Sequence, residues 1–541
     1  MTKGGKVSTR GIGYDVGLSG KPLLAMVTAC CAIGFLLVGY DNGVMGGVVN
    51  TTPFKESFNY PDANTLGNIV SLYELGCFAG AMSTFVIGSI LGRRQSILFG
   101  SLWLLAGAII QACSNTVGVM IAGRIIAGVG MGIVNATVPV LQAEMSPAVS
   151  RGQLVAIDLV VLNCGIVVSY WVDYAFNFSG LTGAATWKVP IALQCVFIAA
   201  IFLIALIIPD TPRWYASRGR SEEALSVLAR LRSSSVDDVL VQTQFNDIQQ
   251  AITHEELEQK SGWLSLIKPG KGWSDDSLQT RKRLGLACFI QAAQQLGGIN
   301  ALIYYSSTLF SASLNLAEQP SAILAGGLNM VLILGAFISI FLVDRVGRRP
   351  LLLSCISGMS FVFVLQTIFV FKIQNNSANS SIRNAAVAML FLFEFFFSVG
   401  FQATVWMIPS EVLPLSIRTQ GSALSTASNW ICNFAVVKFT PSALENIGYQ
   451  TYIIFAVLNA FWVPIIYFFL PETKGKALEE IDELFAKDGW HLEHKQGGAA
   501  AQVLEKSDLN VRTDEENNPS IGDDDADSKK EDALQLDTKN A

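Results

Sequence analysis

E-M-S-P-A-V-S-R at residues 144–151 and E-V-L-P-L-S-I-R at residues 411–418 are two copies of one pattern, E-x2-P-x3-R, 267 residues apart. Two other echoes keep a similar spacing. G-R-R at 92–94 returns at 347–349, and P-D-T at 209–211 returns as P-E-T at 471–473. Three echoes in the same order argue for two related halves of about 200 residues each. Each copy closes an apolar stretch, so both halves set acids and arginines at the ends of greasy segments.

Composition gives those segments their medium. Of 541 residues, 51% are apolar and only 15% are charged, with a mean hydropathy of +0.43. Soluble domains carry about a quarter charged residues, whereas a bilayer core asks for roughly 20 apolar residues per helix. The net charge of −6 says little, because much of it sits in the tail. The nine cysteines lie in or beside apolar runs with no metal-ligand or disulfide spacing, and they read as small core residues. The first twenty residues are polar and basic, so the first apolar run reads as a true span rather than a signal peptide.

Six apolar runs precede a polar stretch and six follow it. The expected organisation is a cytoplasmic N-terminal arm (1–22), a first six-helix bundle (23–208) and a cytoplasmic helical linker domain (209–283). A second six-helix bundle (284–470), a cytoplasmic C-terminal helix region (471–494) and a disordered acidic tail (495–541) complete it. Arg93, Arg94, Arg345, Arg348 and Arg349 fall in loops on one side. The opposite loops hold few basic residues, so both termini are expected to be cytoplasmic. N-x-S/T tripeptides at Asn50, Asn177, Asn375 and Asn379 fall on the outer loops.

Ionisable residues inside spans are functional candidates by default, because the membrane tolerates unpaired charge poorly. Here they are Asp41, Glu74, Arg124, Asp158, Asp173, Glu394 and Lys438. Asp173 and Lys438 stand near outer ends and read as interfacial. Glu144 and Glu411 each precede an arginine by seven residues, Arg151 and Arg418, beside a G-R-R loop. Exposed ion pairs are worth about 0–1 kcal/mol each. A network of them can clamp helix ends and release when the helices move; positive-inside anchoring with charged caps is the plainer alternative, and the repeat favours the gate. All three histidines (His254, His491, His494) lie outside the spans, which argues against a histidine relay.

The ordered strings G-Y-D-N-G (39–43), G-R-I-I-A-G-V-G-M-G (123–132), P-D-T-P-R-W (209–214), Q-Q-L-G-G-I-N (294–300), V-D-R-V-G-R-R (343–349), P-S-E-V-L-P (409–414) and P-E-T-K-G (471–475) resemble the sugar porter family of the major facilitator superfamily, most of all its fungal members. The resemblance implies an all-α membrane protein of twelve transmembrane helices in two six-helix bundles, joined by a cytoplasmic helical linker. It implies a solute site near the midplane between the halves and alternating access by rocking. It places Gln294, Gln295, Asn300, Trp406, Asn429 and Asn433 at the sugar, where amides and an aromatic face suit an array of hydroxyls. Six residues of helix turn about 240°, so Gln294 and Asn300 converge only if Gly297 and Gly298 break the span. The resemblance also makes Arg93, Glu144, Arg151, Asp344, Arg348, Glu411 and Arg418 a cytoplasmic gate. In it the first half lacks one acid, with Ser89 where the second half has Asp344.

Three positions depart from the family pattern. Leu159 stands where span five usually offers a glutamine, with Asp158 and Asn163 close by. Leu332 stands where span eight usually has an asparagine, with Asn329 a turn earlier, and span ten reads Q-A-T-V-W (402–406). A hexose or other monosaccharide, a polyol and a disaccharide therefore all stay open.

Proton-coupled members pair the first-span aspartate with the fourth-span arginine, here Asp41 and Arg124. An acid that alternates between an arginine partner and a desolvated state can load a proton on one side and release it on the other. Proton symport and facilitated uniport both remain open, with Glu74 and Glu394 as rival proton sites. A sugar sensor is the reading from another class. No nucleophile–base pair, metal cluster or phosphate loop suggests an enzyme. The expected partners are a sugar, protons and the lipid bilayer of the plasma membrane, with no nucleic acid, no metal and no cofactor, and a monomer suffices.

Overall fold

The structure, a computed structural model, describes residues 16–146, 151–259, 279–375, 380–414, 417–475, 481 and 484–485. It leaves out the side chains at 85–86, 89, 151–156, 251, 254–259 and 418–419. The acidic tail, most of the N-terminal arm and Pro147 of the first repeat lie outside the described residues. Two compact units divide the chain, and both bundles belong to the one that contains Thr280–Ile481 and the residues up to Asp275.

The first bundle is built of α1 (Lys21–Val48), α3 (Ala63–Leu91), α4 (Arg93–Ala112), α5 (Val117–Met145), α6 (Arg151–Phe178) and α7 (Ala185–Ile207), with a short α2 (Thr52–Ser57) on the first loop. Among the described residues three linker helices follow, α8 (Pro212–Ser217), α9 (Ser221–Arg232) and α10 (Val239–Gln259). The second bundle starts with a broken span, α11 (Thr280–Leu296) and α12 (Ile299–Thr308). It continues with α13 (Glu318–Val346), α14 (Arg348–Gln374), α15 (Ser380–Val412), α16 (Arg418–Asn446) and α17 (Gln450–Phe469). Counting the broken span once, ten spans are long and apolar enough to cross a membrane. At 29 residues each, α3 and α16 are roughly 43 Å long. They complete the twelve spans of the expected all-α fold.

Close packing explains the glycines of the fourth-span motif. On α3, a Cβ at Gly76 would lie 2.5 Å from the Ile125 carbonyl oxygen. On α5, a Cβ at Gly132 would lie 2.1 Å from that of Cys77. Small residues four apart let membrane helices approach to backbone contact, where van der Waals packing and not the hydrophobic effect holds them. The rows Gly76/Gly80 and Gly128/Gly132 therefore place α5, and with it Arg124, against α3 and its Glu74.

The ends of each half that carry the G-R-R loops are called here the basic end. Away from it, one apolar cluster spans the divide. Tyr40, Val44, Val48 and Trp187 of the first half share it with Tyr304, Tyr305 and Val437 of the second. Lys438 Nζ reaches the Asn64 carbonyl oxygen at 3.1 Å, and Thr52 and Asn177 each donate to Glu318, at 3.4 and 3.3 Å. The far ends of the two halves are closed against each other.

Candidate functional site

The broken span places the amides. After Leu296 the chain leaves the helix, and Gly298 takes φ +98°, a left-handed value that suits only glycine. Phe455 packs so close that a Cβ at Gly298 would lie 2.8 Å from its ring, and Asn459 Nδ2 donates to the Gly297 carbonyl at 3.0 Å. The break cancels the rotation that an unbroken helix would impose. Asn300 Nδ2 donates to Gln295 Oε1 at 2.5 Å and to Asn433 Oδ1 at 2.7 Å, while Gln295 Nε2 donates to Asn429 Oδ1 at 3.0 Å. Asn429 Nδ2 donates in turn to Gln294 Oε1 at 2.9 Å and Gln291 Oε1 at 2.7 Å.

Six amides from α11, α12 and α16 therefore form one buried network. Five of them follow the sequence reading, and Gln291 was missed. Its signal was its place one turn before Gln295 within an apolar run. Trp406, on α15, is 36% exposed and takes no part in the network. Amides that satisfy one another can exchange partners for hydroxyls with no loss of hydrogen bonds, since both are donors and acceptors.

The acid–base pair is close by. Asp41 Oδ1 accepts from Arg124 Nη1 at 3.2 Å, and both side chains are 0% exposed. The Arg124 guanidinium lies 4.1 Å from the centroid of the Tyr73 ring. Among the described residues Asp41 Oδ2 and Arg124 Nε and Nη2 have no hydrogen-bond partner, so the pair is buried and half satisfied. Tyr304 lies one turn beyond Asn300 on α12. Its hydroxyl stands 2.9 Å from Asn42 Oδ1 and 2.5 Å from Glu74 Oε1. Sequence reasoning named Glu74 as a rival acid but missed the tyrosine that meets it.

Asn163, which stands near the missing span-five glutamine, is bonded across the halves. It accepts from Gln402 and donates to the Leu332 carbonyl at 3.2 Å. Asp158 and Glu394 are buried, with no partner for any carboxylate oxygen. Asp173, read as interfacial, is instead 3% exposed. Its position near a helix end did not reveal that α1 and the second half cover it. Cys113, read as a core residue, is exposed, because it caps the end of α4.

At the basic end each half repeats one construction. Arg93 Nη2 meets Glu144 Oε1 at 2.8 Å, and Arg348 Nη2 meets Glu411 Oε1 at 3.1 Å. Arg348 also reaches Asp344 at 3.2 Å, an acid whose side chain is 79% exposed, so that contact adds little. Arg151 and Arg418 open α6 and α16, but their side chains, like that of Ser89, lie outside the described ones. The P-D-T and P-E-T echoes now have a role. Asp210 accepts from the backbone nitrogens of Arg93 and Arg94, at 3.1 and 3.3 Å, and Glu472 accepts from those of Arg348 and Arg349, both at 3.0 Å. Each acid caps the helix that its half's G-R-R opens.

Burial pushes the Asp210 carboxyl up from its ordinary 3.8 to about 6, against the pull of the Thr211 and Arg93 backbone N–H groups and the Arg93 charge. The folded chain thus holds this proton more tightly than the unfolded one. The stability it contributes is full below the unfolded value and is lost as pH rises through about 6. Asp210→Asn abolishes the titration. Its melting temperature relative to wild type is expected to improve between about pH 5 and about pH 7. A difference that does not change with pH contradicts this.

The family model described as "Sugar (and other) transporter" matches residues 27–485. The chain belongs to this sugar transporter family. Among its relatives, the sugar transporter STL1 of Saccharomyces cerevisiae is 36% identical over 486 residues, covering 87% of this chain and 83% of that one. The MFS-type transporter oryC of Aspergillus oryzae is 36% identical over 472 residues, covering 87% and 86%. A quinate permease of Emericella nidulans is 31% identical over 486 residues, covering 87% and 90%. Among solved structures, the proton:xylose symporter XylE superposes with a TM-score of 0.70 at 22% identity, covering 86% of this chain and all of that one. That likeness shows the major facilitator fold. The chain is a multi-pass membrane transporter and not an enzyme, and the family takes more than one class of solute.

Proposed function

We propose that the chain imports a neutral polyhydroxylated solute, a sugar and most simply a monosaccharide such as a hexose, across the plasma membrane together with a proton. One observation carries this reading. A buried network of six amides lies one helical turn from Tyr304, whose hydroxyl meets Asn42 and Glu74 beside the buried Asp41–Arg124 pair. Amides without formal charge suit hydroxyls. An acid–base pair in the same buried region can respond to occupation of the amides.

In this reading the basic end is cytoplasmic, as the arginines of its loops favour, and both termini lie inside. The far end is then the outer gate, closed here, and the paired arginines and acids are the inner gate. The second half's gate has one acid more, Asp344, and a looser first half rests on that one exposed contact alone. Coupling to protons rather than uniport rests on the burial of Asp41 opposite a single arginine. The resemblance to a proton:xylose symporter accords with it.

The test is uptake of a radiolabelled panel of hexoses, pentoses, polyols, disaccharides and quinate in cells without transporters of their own, with and without a protonophore. Protonophore-sensitive accumulation of a neutral sugar or polyol is expected. Uptake of quinate alone would put the substrate class elsewhere. No uptake of any solute, with the protein at the surface, would overturn the transport reading in favour of a sensor.

A further inference from the structure

Between the outer ends of the two halves lies a cavity that the amide network and the Asp41–Arg124 pair do not use. Asn50, Tyr170 and Asp173 wall it from the first half, and Ser307, Ser311 and Glu318 wall it from the second. Asp173 is 3% exposed, and among the described residues neither of its carboxylate oxygens has a hydrogen-bond partner. Asn50 Nδ2 is also buried without a partner. On α1, a Cβ at Gly47 would lie 2.1 Å from Asp173 Oδ2, so the helix packs directly onto the carboxylate.

The charged and titratable groups around Asp173 give it no counter-charge. Tyr40 faces it from α1, and Tyr170 lies one turn away on α6, within reach of Glu394 on α15. Tyr174 shares the cavity wall, and Glu318 on α13 has Lys55 of α2 as its own cation. Among the described residues no lysine or arginine acts on Asp173. A buried carboxylate with neither cation nor donor is strongly disfavoured as an anion, whereas a protonated one is not.

The roof of this cavity is the contact between the halves. The Tyr170 hydroxyl bonds to the Ile303 carbonyl and lies 2.9 Å from Ser306 Oγ, and Gln319 donates to the Tyr174 hydroxyl at 3.3 Å. Asn177 and Thr52 hold Glu318 beside them. Parting the outer ends breaks these bonds and opens Asp173 to outside water.

We propose that Asp173 is a second proton-binding site of the protein, ionised while the outer ends are apart and taking a proton from outside water onto one carboxylate oxygen as they close over it. The proposal rests on alternating access, and not on which solute is carried. One proton bound per closure makes the open-to-closed ratio rise by up to about tenfold per pH unit. Low external pH therefore favours the closed outer gate.

Hydrogen–deuterium exchange of the outer ends of α6 and α13, in the full chain in lipid nanodiscs and corrected for intrinsic exchange, reads that ratio. Wild type is expected to lose protection as pH rises. Asp173→Asn, permanently neutral, should stay protected at every pH, and Asp173→Glu should regain the dependence. Asp41→Asn should keep it. An Asp173→Asn variant that opens with pH as wild type does, a wild type indifferent to pH, or loss of the response in Asp41→Asn would each overturn the proposal. A chain that moves no solute yet shows the Asp173-dependent response would fail the transport reading and leave this one standing. Transport without that response does the reverse.

Discussion

Asp41→Asn is expected to abolish uphill accumulation while sparing exchange of solute down its gradient. The substitution keeps the shape of the side chain and removes the charge that Arg124 faces at 3.2 Å in a site with no solvent exposure. A side chain without a titrating proton still permits rocking, but it no longer ties each cycle to the proton gradient. The solute ratio across the membrane should therefore fall to its equilibrium value, where proton-coupled wild type is expected to exceed it.

The fold is a concern, because removing one partner of a buried pair costs about 3–5 kcal/mol. Arg124 would lose its ion-pair partner and keep the Tyr73 ring and the nearby Glu74. The double variant Asp41→Asn/Arg124→Gln removes both charges and is expected to reach the membrane at near wild-type levels, still without uphill transport. Accumulation and pH response unchanged in Asp41→Asn would take this residue out of the mechanism and turn attention to Glu74.

Asn429→Ala should have the second largest effect, on affinity. This amide is the hub of the network. It accepts from Gln295 and donates to Gln294 and Gln291. Truncation leaves buried amides without partners as well as removing a contact for solute. The lost solute hydrogen bond costs about 0.5–1.5 kcal/mol, which is roughly a twofold to tenfold rise in the half-saturating concentration. Asn429→Gln, which keeps the amide and displaces it by one methylene, should recover part of the loss. Wild-type affinity in Asn429→Ala for every transported solute would place the binding site elsewhere.

How far the chain could be read before its structure depended on whether a feature was local. The twelve spans and two halves were legible, because apolar length and the E-x2-P-x3-R repeat survive in one dimension. The break in span seven was legible for the same reason. Two adjacent glycines between Gln295 and Asn300 left little alternative once both amides were required to meet. The P-D-T and P-E-T echoes were visible without a meaning. Their acids cap helices more than a hundred residues earlier in the chain, and only the fold brings them there.

Other residues depended entirely on neighbours distant in sequence. Asp173 read as interfacial from its place near a helix end, and it is buried because Gly47 lets α1 lie against it. Tyr304 looked like one more aromatic in an apolar run until Glu74 and Asn42 were beside it. Asn163 stands near the missing span-five glutamine, and its partners, Gln402 and the Leu332 carbonyl, lie in the other half.

The most direct test of proton-coupled solute import is the pH of a weakly buffered suspension of de-energised cells expressing the protein, followed as solute is added. A transient alkalinisation that follows solute entry in wild type, and is absent in Asp41→Asn, is the predicted result. Saturable solute entry with no proton movement, the same in wild type and Asp41→Asn, would contradict it.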